Sequence, residues 1–148
     1  VTVAAPTRSG RIQHSLDLGA TRALDRDEDL VSALGEVSVD VVIDNVGGTG
    51  FPAMLKVLKR GGRLATSGAI AGPIVDLDMR DLYLKDIVLI GSTAWDEMVF
   101  PRLVQLIEAG VIKPLLDRTY PLDQIVAAQE EFLRKRHFGN FVLIPPSA

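Results

Sequence analysis

Three runs in this 148-residue chain close an apolar stretch with glycine or small polar residues: DNVGG at 44–48, TSGAIAG at 66–72 and IGSTAW at 90–95. Small side chains at such places let a flat ring and a ribose approach the backbone, while Asn45, Ser67, Ser92 and Thr93 offer hydrogen-bonding groups. A single glycine after a strand implies no more than a tight turn. Three such endings at the same relative place point instead to a shared binding rim, because ligands of open α/β sheets lie outside the carboxyl ends of the strands. Other chemistry is poorly supplied. The chain has no cysteine and two histidines, which excludes disulfides and thiolate-ligated zinc and argues against a catalytic metal site. Asp40 and Asp44 have the even spacing of residues on one face of a strand, but such a pair is not by itself an acid–base dyad. No residue is assigned a catalytic role. Trp95 and Phe100 could shape a pocket, although large aromatics more often simply pack.

A rim of this kind needs strands to carry it and helices to cover them, and the sequence alternates the two. Residues 1–5 are apolar and β-prone, 11–18 place Ile12 and Leu16 on one helical face, and Gly19 stops that helix. A short extended piece at 20–24 precedes a helix over 27–34 with acidic first-turn residues and Gly35 after it. VDVVIDNVGG at 39–48 is too short for a buried helix and rich in β-branched residues, as a strand covered on both faces should be. Phe51, Met54, Leu55 and Leu58 have helical spacing before Gly61 and Gly62, after which RLATSGAIAG reads as the next strand. A short helix over 78–86, a strand over 87–93 and a helix over 101–109 ending at Gly110 complete the alternation. The fold class is therefore α/β, a parallel sheet with helices on both faces. Beyond Gly110, VIKPLLDRTYPL reads as an irregular connection with a short strand. Asp123 can cap a helix reaching about Arg136, and 140–144 forms a last strand. The expected boundary lies near Lys113, dividing 1–113 from 114–148.

Composition narrows the partners. Sixteen Lys and Arg against nineteen Asp and Glu give a net charge of −3, so no broad basic field exists to hold nucleic acid or an anionic membrane. No apolar run approaches the roughly 20 residues of a spanning helix and no signal peptide pattern opens the chain, which makes a cytoplasmic location the default expectation.

The run LGATRALDRDED, followed by VDVVIDNVGG, LKRGGRLATSGAIAG, LYLKDIVLIGST and LIEAGVIKPLLDRTYPLDQIVAAQEEFLRKRHFGNFVLIP, resembles the medium-chain dehydrogenase/reductase superfamily in its zinc-independent, quinone oxidoreductase-like branch. The resemblance covers essentially the whole chain, in order and spacing. It implies a Rossmann-type nicotinamide-cofactor domain over 1–113 and, over 114–148, a carboxyl-terminal return segment of the catalytic domain. In that family VTVAAPTRSG corresponds to the second strand of the cofactor domain. No stretch here supplies G-x-G-x-x-G between a strand and a helix, so the expectation is the carboxyl-terminal portion of a longer enzyme, lacking the first strand and its glycine-rich turn. Because that strand is central in the order 3-2-1-4-5-6, its absence should split the sheet.

The resemblance further implies that Asn45 and Val46 lie along the cofactor's central ribose, that Gly68, Ala69 and Ile70 face the nicotinamide side, and that residues 92–95, Ser92 and Thr93 among them, border the substrate mouth. HFGNFVL is similar to a family stretch approaching the cofactor, with Asn140 where lysine is usual. NAD-preferring members carry an acid at the end of the second strand. Here that neighbourhood is APTRSGR, and Arg8, Ser9 and Arg11 could pair with a 2′-phosphate, which favours NADP(H). The alternative, solvated arginines at a helix start, stands beside it. His137, in the basic run RKRH near a helix end, is expected to favour the helix dipole. The implied activity is NADPH-dependent hydride transfer to a small-molecule electron acceptor, a quinone or activated alkene. Alternatives are a portion of a zinc-dependent alcohol dehydrogenase and a non-catalytic NADP(H)-binding module. Strand 87–93, an apolar sheet edge, is the expected homodimer contact.

Overall fold

The computed structural model describes residues 3–7, 11–93 and 96–146, with side chains from Arg11 onward. The chain divides into two compact units, Val1–Ala94 and Trp95–Ala148.

The first unit runs β1 (Val3–Thr7), α1 (Ile12–Asp17), β2 (Arg22–Asp25), α2 (Leu30–Leu34), β3 (Val39–Asp44), α3 (Phe51–Val57), β4 (Leu58–Thr66), α4 (Met79–Tyr83) and β5 (Val88–Gly91). All strand pairs are parallel, but they form two sheets, β1-β2 and β3-β4-β5. Parallel strands need a crossover between them, and the short helices provide it. Among the described residues β3 is paired on one side only, by β4, and its Ile43 is 75% exposed. A strand built of β-branched residues for burial on both faces thus lies at an open edge.

The core lies where α3 packs on the three-stranded sheet. Phe51, Leu55, Leu58, Leu64 and Ile87 form one buried cluster, with Val42, Met54, Val75 and Leu82 against it. Phe51, Leu55 and Leu58 recur at the helical interval, and Pro52 near the helix start needs no intrahelical donor. α3 passes directly into β4 without a loop. Its last carbonyls are satisfied from outside, Lys85 Nζ donating to the carbonyls of Leu55 at 2.9 Å and Lys56 at 3.1 Å. The Gly61-Gly62 pair falls inside β4 rather than before it. The register jumps from Val39↔Leu58 to Val41↔Arg63, so residues 59–62 form an irregularity that the glycines accommodate.

Capping corrects two helix starts. The helix expected from residue 27 begins at Leu30, because Asp29 accepts from the Ser32 N–H at 2.7 Å and acts as the cap. Asp78 caps α4 in the same way, accepting from the Arg80 N–H at 2.9 Å while its carboxylate pairs with the Arg80 guanidinium at 2.7 Å. The Arg80 side chain first, and its N–H second, hold the Asp78 carboxyl down to about 2. A folded-state value below the unfolded one stabilises the fold above the unfolded value, and that contribution is lost as pH falls through the folded one. The difference in thermal midpoint between wild type and Asp78→Asn is therefore expected to be constant from pH 7 down to about 4 and to shrink toward zero as pH approaches about 2. Calorimetry across that window checks it; a difference that persists unchanged at pH 2.5 would contradict the pairing.

The second unit contains α5 (Val99–Glu108), β6 (Leu116–Pro121), α6 (Ile125–Leu133) and β7 (Asn140–Ile144), with β6 and β7 parallel and α6 crossing between them. Asp123 does not cap α6. It lies within a 3₁₀ turn, Leu122–Gln124, and the helix starts after Gln124 with no side-chain cap. His137 falls beyond the helix end, and its ring is stacked on Phe132 at 4.3 Å and tilted against Phe141 at 4.7 Å. Gly139 has φ +113°, and a Cβ there would stand 2.6 Å from the Leu115 carbonyl oxygen, so this entry to β7 requires glycine. Among the described residues no helix is long and apolar enough to cross a membrane.

Candidate functional site

The three strand endings meet. Asp44 of β3 pairs with Thr66 of β4, and Thr66 with Gly91 of β5, so the residues that follow emerge side by side. The backbone pairing runs one step past the strands: the Ser67 N–H donates to the Asp44 carbonyl at 2.8 Å, and the Ser92 N–H to the Thr66 carbonyl at 2.9 Å. Beyond that the first two loops are joined to each other. The Ala71 N–H donates to the Val46 carbonyl at 2.8 Å and the Gly48 N–H to the Gly72 carbonyl at 3.0 Å. Residues 44–48 and 67–72 thus form one hydrogen-bonded platform, which is how small residues in two separate runs produce a single surface.

Asp44, given no role from sequence, organises the first loop. It is 2% exposed, and its carboxylate accepts from the Val46 N–H at 2.8 Å and from the Gly47 N–H at 3.1 and 3.2 Å. A buried carboxylate requires such donors, and the tight turn supplies them. The available signal was the Asp followed two residues on by a turn, the Asx pattern, which even-strand spacing with Asp40 obscured. Asp40 has a different environment, exposed and paired with Lys59 at 3.0 Å.

Of the residues expected at the site, Asn45, Val46, Gly68, Ala69, Ile70, Ser92 and Thr93 lie on this rim. Asn45, Gly68, Ala69, Ser92 and Thr93 are exposed, Val46 is half-buried, and Ile70 is 91% exposed. Asn45 and Val46 also stand at one end of a gap of about 1110 Å³ that runs along the unpaired edge of β3 from Val39 to Asp44, with Arg22, Leu24, Asp25 and Arg26 of β2 and its end opposite. Arg11 heads α1, beside the β1-β2 sheet. Arg8, Ser9 and Trp95 lie outside the described residues. Asn140 belongs to the second unit, where it opens β7 and its N–H donates to the Leu115 carbonyl at 2.8 Å. The rim suits a flat, polar ligand lying across small residues; among the described residues no three His, Cys, Asp or Glu side chains are grouped to hold a metal ion.

Comparison with known proteins identifies the family and the fold. The family model for zinc-binding dehydrogenase matches residues 18–143. A zinc-type alcohol dehydrogenase-like protein of Leptosphaeria maculans is 32% identical over 109 residues, covering 71% of this chain and 30% of that protein. Quinone oxidoreductase of Mus musculus is 34% identical over 101 residues, covering 64% and 30%. Among solved structures, a cobalt- and zinc-bound thermostable alcohol dehydrogenase from Pyrobaculum aerophilum superimposes with a TM-score of 0.76 at 35% identity, covering 97% of this chain and 42% of that one. A mycobacterial quinone oxidoreductase gives 0.83 at 25% identity, covering 97% and 48%. The chain spans about a third of the length of the curated relatives it matches. It belongs to the zinc-binding dehydrogenase family, and with it to the medium-chain dehydrogenase/reductase superfamily, of whose members it corresponds to a carboxyl-terminal portion.

Proposed function

We propose that this chain is the cofactor-binding portion of an NADPH-dependent oxidoreductase that reduces a small electron acceptor, a quinone or activated alkene. The observation that carries this reading is the platform of strand ends β3, β4 and β5, built from small residues and joined by hydrogen bonds between its loops. Bound there, NADPH would supply the hydride. The chain's own residues orient and shield. Asn45 and Val46 border the ribose, Gly68, Ala69 and Ile70 lie beneath the nicotinamide, and Ser92 and Thr93 edge the acceptor's entrance. Holding the ring at a fixed place on a stiff rim is what turns a bimolecular encounter into a productive one. Arg8, Ser9 and Arg11 hold the 2′-phosphate, and Asn140 is a further cofactor-binding residue. The exposed, apolar β5, with Val88, Leu89 and Ile90 half-open to solvent, supports pairing of two copies through strand 87–93.

Titration of the intact protein with NADPH and NADH tests the reading. NADPH is expected to bind at least tenfold more tightly, and Arg8→Ala with Arg11→Ala to remove that preference, since each charge-assisted bond to phosphate contributes about 1.5–3 kcal/mol. Equal affinity for both dinucleotides in wild type would overturn the NADP(H) assignment. The likeness to the zinc-bound Pyrobaculum enzyme favours a second reading, a portion of a zinc-dependent alcohol dehydrogenase. Nothing grouped among the described residues fits zinc, so its ligands would come from elsewhere in the protein; stoichiometric zinc in the intact protein decides between the two.

A further inference from the structure

We infer that Asp44 is a positioning residue of the rim, setting the half that meets the nicotinamide end of the dinucleotide while leaving the adenosine end untouched; this rests on the cofactor reading above. Asp44 combines three features. It is almost wholly buried, its carboxylate engages two consecutive backbone N–H groups, and its own carbonyl accepts from Ser67 of the next loop. One residue therefore fixes loop 44–48 from inside and couples it to loop 67–72. The donors it satisfies belong to Val46 and Gly47, and the carbonyl of Val46 in turn receives the Ala71 N–H. Turning the peptides of 46 and 47 would move Asn45 and would release the segment containing Gly68, Ala69 and Ile70. Its side chain is too buried to touch a ligand, so its influence is through the platform.

Two probes separate this role from a general weakening of the fold: NADPH, and 2′,5′-ADP, which carries the adenosine and 2′-phosphate but no nicotinamide. In the intact protein, Asp44→Ala is expected to weaken NADPH binding about tenfold, the consequence of leaving the N–H groups of Val46 and Gly47 without their acceptor, with 2′,5′-ADP affinity changed less than twofold. Asp44→Asn keeps one oxygen acceptor with nearly the same shape, and is expected to restore most of the NADPH affinity; it also serves where the alanine variant does not fold. The fluorescence of bound NADPH should move toward its free-solution emission in Asp44→Ala, as the ring loses its fixed seat. Equal loss for both probes, or no loss for either, overturns the positioning role while the cofactor reading stands. Failure of the wild-type protein to bind either probe overturns the cofactor reading and this inference with it.

Discussion

Leu55→Ala is expected to destabilise the first unit by about 3 kcal/mol, measured as a lowered urea midpoint at unchanged slope. Leu55 is 0% exposed and sits at the centre of the cluster formed with Phe51, Leu58, Leu64 and Ile87. Its removal leaves a cavity bounded by α3 on one side and by β4 and the start of β5 on the other, and these walls cannot close together. Lys85 ties the end of α3 to the segment before β5, and α3 continues without a loop into β4. A site that cannot relax incurs the full cavity cost. Glu36→Ala provides the contrast: Glu36 is exposed in the turn before β3, and its replacement is expected to shift stability by no more than about 0.5 kcal/mol. A Leu55→Ala effect as small as that of Glu36→Ala would mean that the cluster is not the core of this unit.

The same contrast explains how far the sequence could be read. β3 was legible because four of its six residues, Val39, Val41, Val42 and Ile43, are β-branched, and α3 because Phe51, Leu55 and Leu58 keep helical spacing. Gly35 and Gly110, both at positive φ, ended helices as read. What escaped depended on contacts made between elements. The glycines at 61 and 62 looked like a helix stop, and only pairing with β3 shows them inside β4. The reading of His137 as a charge near a helix end did not show that its ring packs with Phe132 and Phe141, which α6 and β7 bring together. Asp44 is the counterpart on the rim. Its neighbours suggested a turn, but not that its carboxylate is buried while its carbonyl accepts from Ser67 of the next loop.

The rim and the core are consequences of one arrangement. Each strand of β3-β4-β5 begins near the core cluster and ends at a loop of small residues, so the packing that holds the strands in register also brings the loop tips together. A register slip of one residue would exchange buried and exposed faces along a strand, and the buried Leu58 and Leu64 of β4 oppose it. Core residues therefore act on the site through register, and loop residues through the contacts between tips.

Gly47→Ala should separate those two routes, and its expected effect is the largest of any change on the rim. Gly47 has φ +63° and ψ −143°, a conformation that alanine adopts only with strain, and its added Cβ would stand 2.8 Å from the Gly72 carbonyl oxygen and 3.3 Å from Ala69. Gly72 would have to move, breaking the bond it accepts from the Gly48 N–H, and the Gly47 N–H would turn from Asp44. Strain and lost bonds together are expected to cost about 2–4 kcal/mol. At position 50, where φ is −77° and a Cβ would meet nothing within 4 Å, Gly50→Ala is expected to be neutral or slightly stabilising. Because Ala69 and Gly72 lie in the second loop, the two tips should separate before the core is disturbed. NADPH affinity in the intact protein is then expected to fall at least tenfold at a temperature where circular dichroism still reports native secondary structure. Retention of wild-type affinity by folded Gly47→Ala would show that contact between the tips is not what holds the dinucleotide.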